Sequence, residues 1–192
     1  MEENNSKAWI VIGVVGAIAI IYFAVWGSNS KSPTTPNNGT VSGTQTATKN
    51  TLLVPLVPGA SPVSETGKVV TQNGAPVKLN AVPGTQEAPQ QSNSISEKQL
   101  PSKAIKLSVS TGGFLPATFS VSAGNVITLA ISSTDEKTHV FKFDDPSLSA
   151  VAMGIGPNET RAITFNAPAR GTYTFHCDVP NHGSERGTMV VQ

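Results

Sequence analysis

The chain is poor in several of the residues that usually announce a chemistry. Its 192 residues include one cysteine, which excludes an intramolecular disulfide and leaves the redox compartment unreadable from cysteine pairing. Charged residues make up 13% and aromatics 6%, both low for a uniformly folded protein, so only part of the chain is expected to close around a core. The formal net charge is +1, which removes any argument for nucleic acid or a strongly acidic partner. No internal repeat is apparent, and no strong helical period runs through the C-terminal half.

What is there falls into three textures. After a short tail of residues 1–8, the run from Trp9 to Trp26 is uncharged and apolar, with a tryptophan at each end. That is close to the length needed to cross a hydrocarbon core as a helix, with aromatic rings at both interfaces. The flank Phe23-Ala-Val-Trp-Gly-Ser lacks a persuasive small-x-small cleavage site, so an uncleaved transmembrane anchor is favoured over a signal peptide. A short N-terminal tail and a long polar remainder favour a single pass with the C-terminal part on the extracytoplasmic, periplasmic-type side. From 27 to 102 the chain is rich in Ser, Thr, Pro, Asn, Gln and Gly and reads as a disordered linker or stalk. Within it, Leu52–Val57 is apolar but broken by Pro55, and residues 69–79 carry Asn73-Gly74, the signature of a two-residue hairpin turn. Pro76 weakens that hairpin, which either adds to the sheet of the following domain or, as is slightly favoured, forms only transiently.

After Pro101 the pattern becomes short apolar runs separated by Gly, Pro and Asp-rich turns: 104–109, 117–121, 126–131, 139–143, 160–165, 172–177 and 188–191. Such spacing describes an all-β sandwich over residues 103–192. All three histidines and the cysteine lie in this part. Tyr173, Phe175 and Cys177 alternate with Thr174 and His176, so at the period of a strand the sulfur shares the buried face and His176 points to the other. A tight loop through Pro180 brings His182 back beside Cys177. His139 opens an apolar strand after the loop 132–138 and can reach the same sheet end. Two imidazoles and one thiolate suit copper, with a weak axial ligand completing the set.

Three stretches carry a resemblance to a known family: Gly112-Gly-Phe-Leu-Pro-Ala-Thr-Phe-Ser-Val-Ser-Ala-Gly, then Thr138-His-Val-Phe, then Gly171-Thr-Tyr-Thr-Phe-His-Cys-Asp-Val-Pro-Asn-His182. In this order they resemble the cupredoxins, the blue-copper fold of plastocyanin and azurin. The resemblance covers about 103–192. It implies a Greek-key sandwich that holds one copper ion, type 1 or similar, on His139, Cys177 and His182 and moves one electron between Cu(II) and Cu(I).

The chain departs from the family at two places. The family's axial methionine follows the C-terminal histidine by three or four residues, where this chain has Glu185 and Arg186, with Gly187 next. Met189 falls inside the last strand, at a position usually filled by Leu or Val, and reads as core. The axial candidates are therefore Glu185, a backbone carbonyl of the loop before His139, or none. A carboxylate would favour Cu(II) and lower the potential, as in red-copper relatives. The second departure is Val140, which stands where plastocyanin and azurin carry an Asn that ties the His loop to the Cys loop.

These readings predict a membrane-anchored, extracytoplasmic electron carrier that is not an enzyme and meets redox protein partners. The alternatives are copper binding and handling without electron transfer, or a red-copper-like site with a Glu ligand and small-molecule reactivity. Three histidines are too few for a multicopper oxidase, and one cysteine excludes a dinuclear centre with two bridging thiolates.

Overall fold

In the computed structural model, alternating apolar runs pair into two stacked sheets, and the structure describes residues 53–192. The expected tail at 1–8, the expected transmembrane helix at 9–26 and the first part of the expected linker lie outside the described residues. No helix among the described residues is long and apolar enough to cross a membrane.

The described residues form nine strands: β1 (Ile105–Ser110), β2 (Gly113–Leu115), β3 (Thr118–Val121), β4 (Val126–Ser133), β5 (His139–Phe143), β6 (Ala152–Ile155), β7 (Thr160–Asn166), β8 (Gly171–Cys177) and β9 (Arg186–Val191). One sheet has the order β2-β1-β4-β7 and the other β3-β9-β8-β5-β6. β1 runs parallel to β4, and β3 parallel to β9, while the remaining neighbours are antiparallel. The all-β sandwich expected from the sequence is the fold observed.

Alternation decides which side chains meet between the sheets. Leu107 and Val109 of β1, Ile127, Leu129 and Ile131 of β4, Ile163 and Phe165 of β7, and Phe175 and Cys177 of β8 enter one core cluster. Phe175 sits at its centre. Its ring lies 5.2 Å from Phe114 at 85°, 4.9 Å from Phe141, and 6.0 Å from Phe143 at 85°. The edge-to-face pairs add about 0.5–1.5 kcal/mol each beyond area burial. This packed floor lies directly beneath the end of the sandwich where Cys177 emerges.

The linker expected over 27–102 is corrected from residue 53 onward, where the chain forms an ordered arm against the sandwich. Val57, Ala60, Ser61 and Ala88 are fully buried. Val57, Ala60 and Ile95 pack on Ala130 and Ala162, which point out of the first sheet on the side away from the main core. Two small residues on adjacent strands leave a shallow trough, and the arm fills it. This is why β4 is buried on nearly every residue rather than on alternate ones. The arm also bonds to the outer edge of β7: Ser92 N–H donates to Ala162 O (2.7 Å), Ile95 N–H to Thr160 O (3.0 Å), and Ala162 N–H to Ser92 Oγ (2.9 Å). The domain therefore begins well before residue 103.

The hairpin at 69–79 is present, and it is docked. Val70 bridges Pro76, and Thr71 N–H donates to Ala75 O at 2.7 Å while Gly74 N–H donates to Thr71 O at 2.9 Å. The connection has three residues rather than two: Gly74, at φ +83°, follows the turn instead of standing inside it. Asn166 at the end of β7 holds the hairpin, accepting from Val69 N–H (2.9 Å) and donating to Gly67 O (3.1 Å).

Removal of residues 53–102 is expected to lower the unfolding free energy of the sandwich by about 3 kcal/mol or more, since Val57 and Ile95 alone lose burial worth about 1.5–3 kcal/mol each. Denaturant melts of 53–192 and 103–192 test this. Equal midpoints and slopes would show that the arm contributes nothing.

Candidate metal centre

Register places the chemistry. Phe141 pairs with Cys177 and Lys142 with His176 across β5 and β8. His139, two residues before Phe141, therefore faces inward as Cys177 does, while His176 faces out. The loop 178–185 folds back through two turns, with His182 N–H on Val179 O (3.2 Å) and Glu185 N–H on His182 O (3.0 Å). Its return is fixed by Cys177 N–H on Glu185 O at 2.9 Å. Asn181 at φ +67° makes the reversal, in the left-handed region that asparagine tolerates better than most residues.

His139, Cys177, His182 and Glu185 converge so that one ligand atom from each lies within 4.8 Å of the others. Cys177 Sγ is 3.6 Å from His182 Nδ1. His139 Nδ1 is 2.8 Å from Glu185 Oε2, and His182 Nδ1 is 3.0 Å from Glu185 Oε1. His139 is fully buried, and Glu185 is 1% and Cys177 5% exposed. Only the His182 side chain, at 13%, shows an edge to solvent.

The protonation of these groups is coupled. Burial pulls His139 toward the neutral form, but hydrogen bonds to Asp135 and Glu185 outweigh it and raise its pKa above the ordinary value. Burial pushes the Cys177 thiol up, against the backbone N–H groups of Val140 and Val179, which favour the thiolate; Glu185 adds to the upward shift. A cation bound here would displace protons from thiol and imidazole.

The donor set fits a copper ion. Glu185 Oε1 is buried and makes no aligned hydrogen bond, although His182 Nδ1 is near it. A buried carboxylate oxygen left without a hydrogen-bond partner is costly. One cation among the four donors would satisfy it together with both imidazole lone pairs and the sulfur. Two nitrogens, one sulfur and one oxygen form a borderline-soft set that suits copper better than magnesium or calcium.

The remaining sequence expectations separate cleanly. His176 lies outside the cluster, on the outer face, bonded through Nδ1 to Asp144 and 3.4 Å through Nε2 from Asp178. Met189 is fully buried in the core cluster on β9. Val140 does not loosen the site. Its N–H donates to Cys177 Sγ (3.3 Å), its carbonyl accepts from Asp178 N–H (2.9 Å), and the His139–Glu185 contact adds a side-chain tie between the same two loops. Sequence reasoning missed Asp135, whose Oδ1 lies 2.9 Å from His139 Nε2. The only available signal was an acidic residue four positions before the histidine, within a loop.

The family model for the cupredoxin-like domain matches residues 88–191, a span that takes in the last part of the arm. Among solved structures, a dithionite-reduced auracyanin from Roseiflexus castenholzii is 25% identical, covering 47% of this chain and 98% of its own, with a TM-score of 0.42. Auracyanin A from Chloroflexus aurantiacus, described as a blue copper protein, is 24% identical over 46% of this chain and 98% of its own, with a TM-score of 0.39. A reduced amicyanin is 20% identical over 52% and 92%, with a TM-score of 0.41. No curated protein matches the chain. Since the family match spans more than half of the sequence and contains all four converging residues, the chain belongs to the cupredoxin-like domain family.

Proposed function

We propose that this protein is a one-electron carrier that holds a single copper through His139 Nδ1, Cys177 Sγ, His182 Nδ1 and a Glu185 carboxylate oxygen. The observation that carries the reading is the convergence of these four donors within 4.8 Å at the end of a rigid sandwich. Copper, when bound, supplies the Cu(II)/Cu(I) couple. The chain's own residues keep the donors in place in both oxidation states. β5 and β8 are hydrogen-bonded neighbours, the Cys177 backbone is clamped to Glu185 O, and the Val140 N–H shares the charge of the sulfur. Little therefore has to move when the charge changes, which is the condition for fast transfer. His182, whose side chain is 13% exposed while those of His139 and Glu185 are closed to solvent, is the proposed point of electron entry and exit for a redox protein partner. The apolar run Trp9–Trp26 supports a single-pass membrane anchor with this domain on the extracytoplasmic side.

Loading the purified protein with Cu(II) tests the reading. The expected result is one copper per chain, an intense thiolate-to-copper band in the visible, and a reversible midpoint potential; Cys177→Ser removes the band. Copper that binds without the band, or that leaves readily to a chelator and exchanges electrons slowly, would sink the carrier reading and favour copper handling.

A further inference from the structure

The loop between β4 and β5 does more than deliver His139. Asp135 sits in it with its side chain 23% exposed and Oδ1 2.9 Å from His139 Nε2, while the ring's Nδ1 faces Glu185. The carboxylate is itself fixed. Oδ2 accepts from Thr111 N–H (3.0 Å), and Oδ1 accepts from Lys137 N–H (3.1 Å) and from Ser133 Oγ (3.3 Å). Thr111 is in turn tied to the loop carrying Glu185, since Ser184 Oγ donates to Thr111 O at 3.2 Å. The Asp135 main-chain carbonyl accepts from Asn158 N–H (3.1 Å), so the turn between β6 and β7 also holds this loop.

We propose that Asp135 is a positioning residue for the metal: it fixes His139 with the proton on Nε2 and the Nδ1 lone pair facing inward, and its charge, acting through the ring, favours Cu(II) over Cu(I). The inference rests on the copper reading given above. Its logic is that of donors and acceptors. An ionised carboxylate can only accept, so a neutral imidazole that bonds to it carries its proton on the bonded nitrogen. The other nitrogen, Nδ1, lies 2.8 Å from Glu185 Oε2; without a cation it shares a proton with that carboxylate, and a metal ion that takes Glu185 as a ligand displaces this proton and leaves the Nδ1 lone pair facing the ion beside Cys177 and His182. Three donors orient Asp135, so the ring is held before any ion arrives. A carboxylate behind a ligating histidine also raises the basicity of the ligand. A full negative charge there stabilises the more highly charged ion, as a neutral carbonyl in the same place would do far less.

The test uses the whole protein and two variants. Asp135→Asn keeps the shape and an oxygen acceptor for Nε2–H but removes the charge; Asp135→Ala removes both. With copper, the expected result for Asp135→Asn is a fall of about tenfold in the ratio of Cu(II) to Cu(I) affinity, read as a rise in midpoint potential of about 59 mV for a one-electron couple. The diamagnetic Zn(II) form gives a readout independent of redox activity. A slowly exchanging ring N–H of His139 is expected by NMR in the unaltered protein and in Asp135→Asn, and is expected to be lost in Asp135→Ala. An unchanged potential in Asp135→Asn, or an unprotected ring N–H in the unaltered Zn(II) protein, overturns the proposal. If the unaltered protein binds Cu(II) without a thiolate band, the copper reading fails instead, and the Zn(II) measurement still decides whether Asp135 positions the ring. Should Asp135→Ala fail to fold, Asp135→Asn carries the potential measurement and the unaltered Zn(II) protein the N–H measurement.

Discussion

Glu185→Met is expected to raise the midpoint potential of the copper protein by on the order of 100 mV, a factor of roughly fifty in the Cu(II)/Cu(I) affinity ratio at about 59 mV per tenfold. The expectation comes from charge. Glu185 is 1% exposed and meets both imidazoles, so its carboxylate is poorly screened by solvent. A unit charge about 4 Å away is worth about 4 kcal/mol at an effective dielectric constant of about 20. Part of that is offset because a thioether is a weak donor in its own right. The remainder favours Cu(I), the softer and less charged state. The absorption spectrum should move with the potential, toward the ordinary blue type. Glu185→Gln separates charge from bulk, because it keeps the shape and one oxygen. If Glu185→Gln and Glu185→Met both leave spectrum and potential where they were, Glu185 does not ligate the metal and the axial position belongs to a backbone carbonyl or to nothing.

The second large effect is on folding. Gly187→Ala should lower the unfolding free energy by about 3 kcal/mol, at the upper end of ordinary overpacking, and the melting temperature by about 10 °C. Gly187, the second residue of β9, lies opposite Phe175 in register. A Cβ there would be driven into the Phe175 ring and the Ala117 carbonyl. Neither can yield easily. Phe175 is fully buried and holds its place against Phe114, Phe119, Phe141 and Phe143. The Ala117 carbonyl accepts from Thr188 N–H at 2.8 Å, next to the parallel pairing of β3 with β9. Gly183, in the same loop as Glu185, has nothing within 4 Å of where a Cβ would stand. Gly183→Ala should therefore change stability by less than about 0.5 kcal/mol. A thermal melt in which the two variants behave alike would refute the packing argument.

How much of this was legible in the sequence depends on what each residue packs against. Strands such as β8 were readable because Phe175 and Cys177 are buried while Thr174 faces solvent, and parity then separated Cys177 from His176. Glu185 was readable as a departure, since it occupies the stretch where the family's methionine is expected. The arm was not readable, because its buried residues Val57, Ala60, Ser61 and Ala88 are small, widely spaced and set among prolines and polar residues. Their stability depends on a trough formed by Ala130 and Ala162 of distant strands, and no local window contains both sides of that contact. Asp135 escaped notice for a related reason. Its role depends on which nitrogen of His139 turns outward, and that is settled by the packing of the loops around it.

The arm bears on association as well as on stability. β7 ends its sheet, and without residues 91–95 its outer row of peptide groups would stand unpaired along a strand whose Ala162–Phe165 stretch is fully buried in the intact fold. An exposed edge of that kind is a template for pairing with a second chain. By laying Ser92 and Ile95 along it, the protein supplies its own terminating segment, and an edge that invites polymerisation becomes an interior seam.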